Sequence, residues 1–232
     1  MKYETGINEV QAQIMRQLFT HDTLRFSEIN IDDVPSDQFS YHLRQLIKNG
    51  LIEKLEDSRY RLSVMGKSRA ILLDTRSSKY IDQGFVACRV VLSRDHEGKK
   101  QYLVQKRTKV PYRGYVSEPG GKILFGEDVV TAAKRNMLAE TGLVCDMAVR
   151  GIAHFKDEYK ESIVQDKFFF VIKATNPRGE VLKNGPTGEN VWMSFDEIAA
   201  YKNTHQGVTD MIKIVDGENF EFTEATHVVD EY

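Results

Sequence analysis

The sequence lacks the features that mark disulfide-rich, zinc-binding or membrane-spanning proteins. Its only two cysteines, Cys88 and Cys145, are too few for a disulfide framework, and we expect both to be buried free thiols. No histidine stands at zinc-ligand spacing from a cysteine. The longest apolar runs, such as 168–172, are too short to span a bilayer, and no cleavable leader is evident. These absences predict a cytoplasmic protein without membrane contact.

A strong excess of charge of one sign is also missing. The 232 residues carry 32 Lys and Arg against 34 Asp and Glu, and residues 1–80 carry 12 against 11. A uniformly cationic nucleic-acid binder is therefore excluded, and any DNA affinity has to come from local clustering of charge or from dimerisation. The length suits one large domain or two modest ones.

The first 75 residues have the pattern of helices followed by a hairpin. Asn8 and Gln11 predict a capping box, and a short second helix fits 27–30. A third helix is predicted to begin with Ser36 as N-cap and to end with Gly50 as C-cap. Its apolar face is formed by Phe39, Leu43, Leu46 and Ile47. Residues 51–64 predict a hairpin around the turn 56–58, and a last helix is expected over 66–73.

The stretch FSYHLRQLIKNGLI, followed by YRLSVMGKS, resembles the recognition helix and wing of ArsR- or MarR-like winged helix-turn-helix regulators. The resemblance implies a DNA-binding domain at 1–75, with the third helix in the major groove. The residues expected at DNA are Gln38, Tyr41, Arg44, Gln45, Lys48, Arg59 and Arg61. The alternative is a solvated helix face on a domain that binds protein or only dimerises.

After a polar linker at 76–82 the pattern changes to strands, a glycine-rich loop and a helix, which predicts a second domain at 83–232. Strands are predicted around the turn 95–99 and over 149–155 and 166–174. Within GYVSEPGGKILFGEDVVTAAKRNMLAETGL, residues 114–143, seven positions match the Nudix box. They are Gly121, Glu127, Arg135, Met137, Glu140, Gly142 and Leu143.

This domain is therefore identified as a member of the Nudix (MutT-like) superfamily. The resemblance implies an α/β/α sandwich around a mixed sheet, so the whole chain is expected to be of the α+β class. It also implies that Glu140, Arg135 and Glu127 form the catalytic set, with Arg135 bracing Glu127. A nucleotide-like ligand would contact Gly120, Gly121, Arg107 and Arg113, since glycines allow close approach and arginines bind phosphate.

The metal-binding part of the motif is incomplete. Positions 136, 139 and 140 share one helix face, and the family has a glutamate at each, where they hold Mg²⁺. This chain has Asn136, Ala139 and Glu140. The resemblance leaves Glu140 and Asn136 as the candidate Mg²⁺ ligands, with Asp157, Glu158 or Glu161 as further carboxylates or as a solvated acidic loop.

Two functions from different classes follow. The first is a DNA-binding transcriptional regulator whose degenerate Nudix domain senses a nucleoside diphosphate-type ligand, acting as a homodimer. The second is a Mg²⁺-dependent Nudix hydrolase that cleaves a nucleoside diphosphate linked to another group. The loss of two of the three glutamates on the metal-binding helix face favours the regulator over the enzyme.

Overall fold

The computed structural model describes residues 7–29, 31, 34–73 and 83–229. The chain divides into two compact units, 1–82 and 83–232. The predicted linker at 76–82 lies outside the described residues. Each unit is described separately below.

The N-terminal unit consists of three helices and a small sheet. The helices are α1 (Glu9–Phe19), α2 (Ser36–Lys48) and α3 (Val64–Ala70), and a single 3₁₀ turn spans Phe26–Glu28. The strands are β1 (Leu24–Arg25), β2 (Ile52–Lys54) and β3 (Arg59–Leu62), which pair antiparallel in the order β1–β3–β2. The core that joins them includes the fully buried Ile14, Met15 and Leu46.

Local sequence signals explain most boundaries of this unit. The capping box predicted for α1 is present, because Asn8 and Gln11 each bond the other's backbone N–H. The hairpin of β2 and β3 lies within the range predicted from the spacing of Ile52, Tyr60 and Leu62.

Four boundaries differ from the prediction by one to three residues. The short helix is a 3₁₀ turn that begins at Phe26, and Asn30 lies outside the described residues. Pro35, not Ser36, is the N-cap of α2. Asn49 is its C-cap, and Gly50 follows with a φ of +69°. Finally, α3 starts at Val64 because the Ser63 hydroxyl accepts a hydrogen bond from the Gly66 N–H at 2.9 Å.

The C-terminal unit is built on a mixed sheet. Its longer strands are β4 (Phe85–His96), β5 (Lys99–Arg107), β8 (Val144–Tyr159), β9 (Ser162–Arg178), β10 (Gly188–Ser194) and β11 (Glu221–Val228). They follow the order β10–β5–β4–β9–β8–β11, in which the β4–β9 and β8–β11 pairs are parallel and the others antiparallel. The short strands are β6 (Val116–Ser117) and β7 (Gly120–Lys122).

Helices cover the two faces of this sheet. On one face α4 (Val129–Thr141) buries Met137 against Leu103 and Ile172. On the other, α5 (Phe195–Ala200) and α6 (Val208–Asp216) bury Ile198 and Met211 against Phe155. The predicted mixed α/β architecture is thus confirmed for this unit. Both cysteines are buried free thiols whose pKa is raised by burial, and no described helix is long and apolar enough to cross a membrane.

A separation between two neighbouring strands positions the site. β4 and β5 pair along 93–96 and 99–102. Beyond this point β6 pairs with β5, and β7 pairs with β4. Residues 116–122 therefore lie between the two strands, immediately before the loop that leads into α4.

Candidate ligand site of the C-terminal unit

An arginine–carboxylate pair braces the loop between β7 and α4. Arg135 donates from Nε to Glu127 Oε1 and from Nη2 to Glu127 Oε2, both at 2.7 Å. The same Nη2 donates to the Lys122 carbonyl at 3.0 Å, and Glu127 also accepts from the Leu124 N–H at 3.0 Å. These bonds, chiefly that from Arg135, lower the pKa of Glu127 to about 2. The pairing expected of Arg135 and Glu127 is present, whereas their catalytic role stays a prediction.

The carboxylate of Glu140 is engaged by protein donors. Its Oε2 accepts from the Thr187 hydroxyl at 2.7 Å, from the Thr187 N–H at 3.3 Å and from Gln105 Nε2 at 3.2 Å. The side chain is 8% exposed. Glu140 thus ties α4 to β5 and to the segment before β10, and a cation at Oε2 would have to displace these donors.

Asn136 uses its amide as a donor. Nδ2 donates to the Lys122 carbonyl at 3.4 Å and contacts Cys88 Sγ at 3.6 Å, while Oδ1 accepts from Arg135 Nη1 at 3.1 Å. A Cβ on Gly121 would lie 2.5 Å from Asn136 Oδ1, so the glycine allows this close packing. A glutamate at this position could not donate to the carbonyl, and the amide therefore suits a role in holding the loop.

The donor set on this helix face does not fit a Mg²⁺ site. Ala139 has no donor atom, the Asn136 oxygen accepts from Arg135, and Oε2 of Glu140 accepts from Thr187 and Gln105, so Glu140 supplies the one carboxylate of these three positions. Within the described ranges no group of three or more His, Cys, Asp or Glu side chains is placed to hold a metal ion. The role of Glu140 and Asn136 as metal ligands therefore remains a prediction.

The predicted ligand-binding residues lie around the same loop. A Cβ on Gly120 would come 2.2 Å from the Cys88 carbonyl, so close packing of β7 on β4 accounts for this glycine. Arg107 is half-buried at the end of β5 and donates to the Pro111 carbonyl at 3.2 Å. Arg113 is exposed. Their contact with a ligand remains untested.

Comparison with known proteins agrees with this geometry. The family described as NUDIX domain matches residues 85–214, which is more than half of the chain. The chain belongs to the Nudix family. No curated protein matches it closely enough to add a named relative.

Solved structures with a similar fold come from several organisms. The MutT protein of Bacillus halodurans is 25% identical with a TM-score of 0.53, over 64% of this chain and 93% of that one. A MutT NUDIX hydrolase of Burkholderia pseudomallei is 20% identical with a TM-score of 0.49, over 58% and 99%. The NUDIX domain of Shewanella oneidensis NrtR, solved with ADP ribose, is 12% identical with a TM-score of 0.45, over 59% and 86%.

Sequence reasoning missed a set of buried charged groups in the Nudix domain. Lys167 of β9 and Asp157 of β8 form an ion pair with side-chain exposures of 3% and 1%, and the Tyr112 hydroxyl donates to the same Asp157 oxygen. The ring of Tyr112 packs edge-on to that of His205, with 4.8 Å between their centroids. Burial lowers the pKa of His205 to about 3, so this imidazole is neutral.

This arrangement shows how the acidic segment that follows the box is placed. Asp157 Oδ2 accepts from Lys167 and Tyr112, whereas Oδ1 has no partner among the described residues, so a metal-binding role of Asp157 stays a prediction. Glu158 is half-buried and Glu161 is exposed, both in the β8–β9 hairpin. The sequence had a signal for Lys167 alone, because Lys167 alternates with Phe169 and Val171 at inward positions of β9, whereas its partner depends on the register of β8.

Glu118 is a further buried residue that sequence reasoning missed. It lies between β6 and β7, is 1% exposed, and neither carboxylate oxygen has a hydrogen-bond partner among the described residues. Burial raises its pKa to about 7. The guanidinium of Arg89 donates to the backbone carbonyl of Glu118 at 3.0 Å and lies over the Phe169 ring.

The residues predicted to contact DNA occupy one unit. On α2, Gln38, Tyr41, Arg44 and Lys48 are exposed and Gln45 is half-buried. In the hairpin, Arg59 donates to the Thr23 hydroxyl at 3.2 Å, and Arg61 pairs with Glu53 at 2.8 Å. The helix face is thus open to a partner, whereas the two hairpin arginines already have partners within the unit.

Proposed function

We propose that this protein is a DNA-binding transcriptional regulator whose Nudix domain binds a nucleoside diphosphate-type ligand without rapid hydrolysis. The observation that carries the proposal is the helix face of α4, where a Mg²⁺ site would need carboxylates. Asn136 and Glu140 there hold the loop and the neighbouring strands through hydrogen bonds, and Ala139 offers no oxygen. Without metal to polarise the diphosphate and activate water, such a domain retains binding and loses most of its catalytic power.

The order of elements in the N-terminal unit supports the DNA-binding half of the proposal. A helix, α2, is followed directly by the β2–β3 hairpin and then by α3, as in a winged helix-turn-helix domain. The exposed Arg44 and Lys48 lie one turn apart on α2 and would enter the major groove, with the hairpin as wing. A ligand would act on a homodimer by shifting the spacing of its two recognition helices.

Charge removal on α2 tests the DNA surface. The variant Arg44→Ala, Lys48→Ala is expected to weaken binding to the protein's own promoter fragment by roughly 10- to 100-fold, because an arginine–base contact contributes about 1–3 kcal/mol. Fluorescence anisotropy at fixed salt measures the effect. The matched control, Lys67→Ala, Arg69→Ala, removes two exposed cations from α3 and should bind within about threefold of wild type. Equal losses in both variants would refute a specific α2 surface.

The alternative is a Mg²⁺-dependent hydrolase, and one observation favours it. The Glu127–Arg135 brace is formed and Glu140 stands at its position in the Nudix box, which supports this alternative. Mg²⁺ can also bind through one or two carboxylates together with substrate phosphates. Turnover that requires both Mg²⁺ and Glu140 would support this alternative over the regulator.

A further inference from the structure

Two buried acceptor oxygens lie near the loop that Arg135 braces and have no side-chain partner in the described part of the chain. Both oxygens of Glu118 are buried, and no described side chain hydrogen-bonds to either of them; a weak contact with the residue's own backbone slightly lowers the pKa. Buried polar atoms in folded proteins nearly always have a partner, because leaving one unpaired costs free energy. Protonation does not solve the problem, since the acid would then have both an unpaired O–H and an unpaired carbonyl. A bound group that supplies donors would solve it.

The position of Glu118 is suited to such a group. Glu118 lies in the segment that fills the space between β4 and β5, two residues before Gly120 and the loop braced by Arg135. The backbone is held on both sides, because the Val90 N–H donates to the Pro119 carbonyl at 2.8 Å and Arg89 donates to the Glu118 carbonyl. The backbone that carries this buried carboxylate is therefore fixed.

The neighbouring charges favour an ionised acceptor. The Arg89 guanidinium, anchored on the Glu118 backbone and over Phe169, opposes the effect of burial and lowers the pKa of Glu118 relative to burial alone. A ligand that donates hydrogen bonds to both oxygens would favour the carboxylate further. An ionised carboxylate accepts from two adjacent donors at once, which gives geometric selectivity as well as affinity.

We propose that Glu118 is a specificity-determining residue of the Nudix domain, whose carboxylate accepts hydrogen bonds from two neighbouring donor groups of the ligand. Two parts of a nucleotide offer such a pair: the 2′,3′-diol of the ribose, and the N1–H with the 2-amino group of guanine. The inference rests on the proposed binding of a nucleoside diphosphate-type ligand, and it adds which part of that ligand is read. It involves neither DNA nor hydrolysis.

Calorimetric titration of the full-length protein in metal-free buffer tests the proposal with four probes. They are GDP, IDP (which lacks the 2-amino group), ADP and 2′-deoxy-ADP. One pair is expected to differ by roughly 10- to 100-fold in Kd, since a buried hydrogen bond to a charged group has about this effect. A GDP–IDP difference assigns the guanine edge, and an ADP–deoxy-ADP difference assigns the diol.

The variant Glu118→Gln keeps the shape of the side chain and offers only one acceptor oxygen. It is expected to bring the ratio of the two Kd values in the discriminating pair of probes to within about threefold of one. The control Glu218→Gln, an exposed position on the loop after α6, should leave this ratio unchanged. Unaltered ratios in Glu118→Gln, or no binding of any probe by the wild type, would overturn the proposal. So would a Glu118→Gln variant that does not fold, because the carboxylate would then serve the fold. If the probes bind but do not change the protein's affinity for promoter DNA, that result would count against the regulator alone.

Discussion

Replacing Lys167 by methionine lowers the free energy of unfolding of the Nudix unit by about 3–5 kcal/mol, the usual cost of removing one member of a buried ion pair. Lys167 and Asp157 are 3% and 1% exposed, so the remaining carboxylate would stay buried, and among the described residues Tyr112 would be its one remaining donor. Asp157 Oδ1 already has no partner among the described residues. Urea unfolding followed by the fluorescence of Trp192, the single tryptophan, reports on this unit because Trp192 lies in β10.

A second variant separates charge from packing in this prediction. Lys167→Met combined with Asp157→Asn removes both charges and keeps an acceptor for the Tyr112 hydroxyl, so it should recover most of the lost stability. The exposed Lys183→Met serves as control and should change stability by less than about 0.5 kcal/mol. If Lys167→Met alone lowers the free energy of unfolding by less than about 1 kcal/mol, the Lys167–Asp157 pair is accessible to water and the prediction is wrong.

The contribution of Glu118 to the stability of the unliganded Nudix unit should fall as the pH rises from 4.5 to above 7. Burial raises the pKa of Glu118 from 4.5 to about 7. Between these values the unfolded chain has lost the proton and the folded chain retains it, so a rise in pH favours unfolding. The difference corresponds to roughly 3 kcal/mol once the pH exceeds 7.

The variant Glu118→Gln isolates this contribution. Its stability minus that of wild type should increase by roughly 3 kcal/mol between pH 4.5 and pH 8, again followed with Trp192. Taking the difference removes His205, whose pKa is lowered to about 3 and whose effect on stability has the opposite sign. A difference that stays constant with pH would mean that Glu118 titrates normally in the folded protein.

Local sequence patterns predicted the parts of this structure that depend on neighbours along the chain. The capping box of Asn8, the hairpin at 52–62 and the helix after Asp128 each follow from spacing within about ten residues. The contact of Arg135 with Glu127, eight positions apart, was likewise accessible from the Nudix box. The boundary errors at Ser36 and Gly50 arose because caps shift by one residue without changing the pattern.

Features that depend on distant segments were not predictable. The Glu118 carboxylate is buried because its segment lies between β4 and β5 where these strands separate. The alternation of apolar and polar residues along one strand does not show this separation. The Asp157–Lys167 pair depends on the register of β8 on β9. From the sequence alone, Asp157 was therefore interpreted as part of an acidic loop. The hydrogen bonds of the Asn136 amide likewise depend on Lys122 and Cys88, which are distant from it in the sequence.

Incubation with ADP-ribose and Mg²⁺, followed by mass spectrometry of the nucleotide, tests the central claim most directly. We expect the ADP-ribose to be recovered intact under conditions where its addition changes the affinity of the protein for promoter DNA. AMP produced at many turnovers per minute, and lost in Glu140→Gln, would contradict the account and identify the protein as a hydrolase.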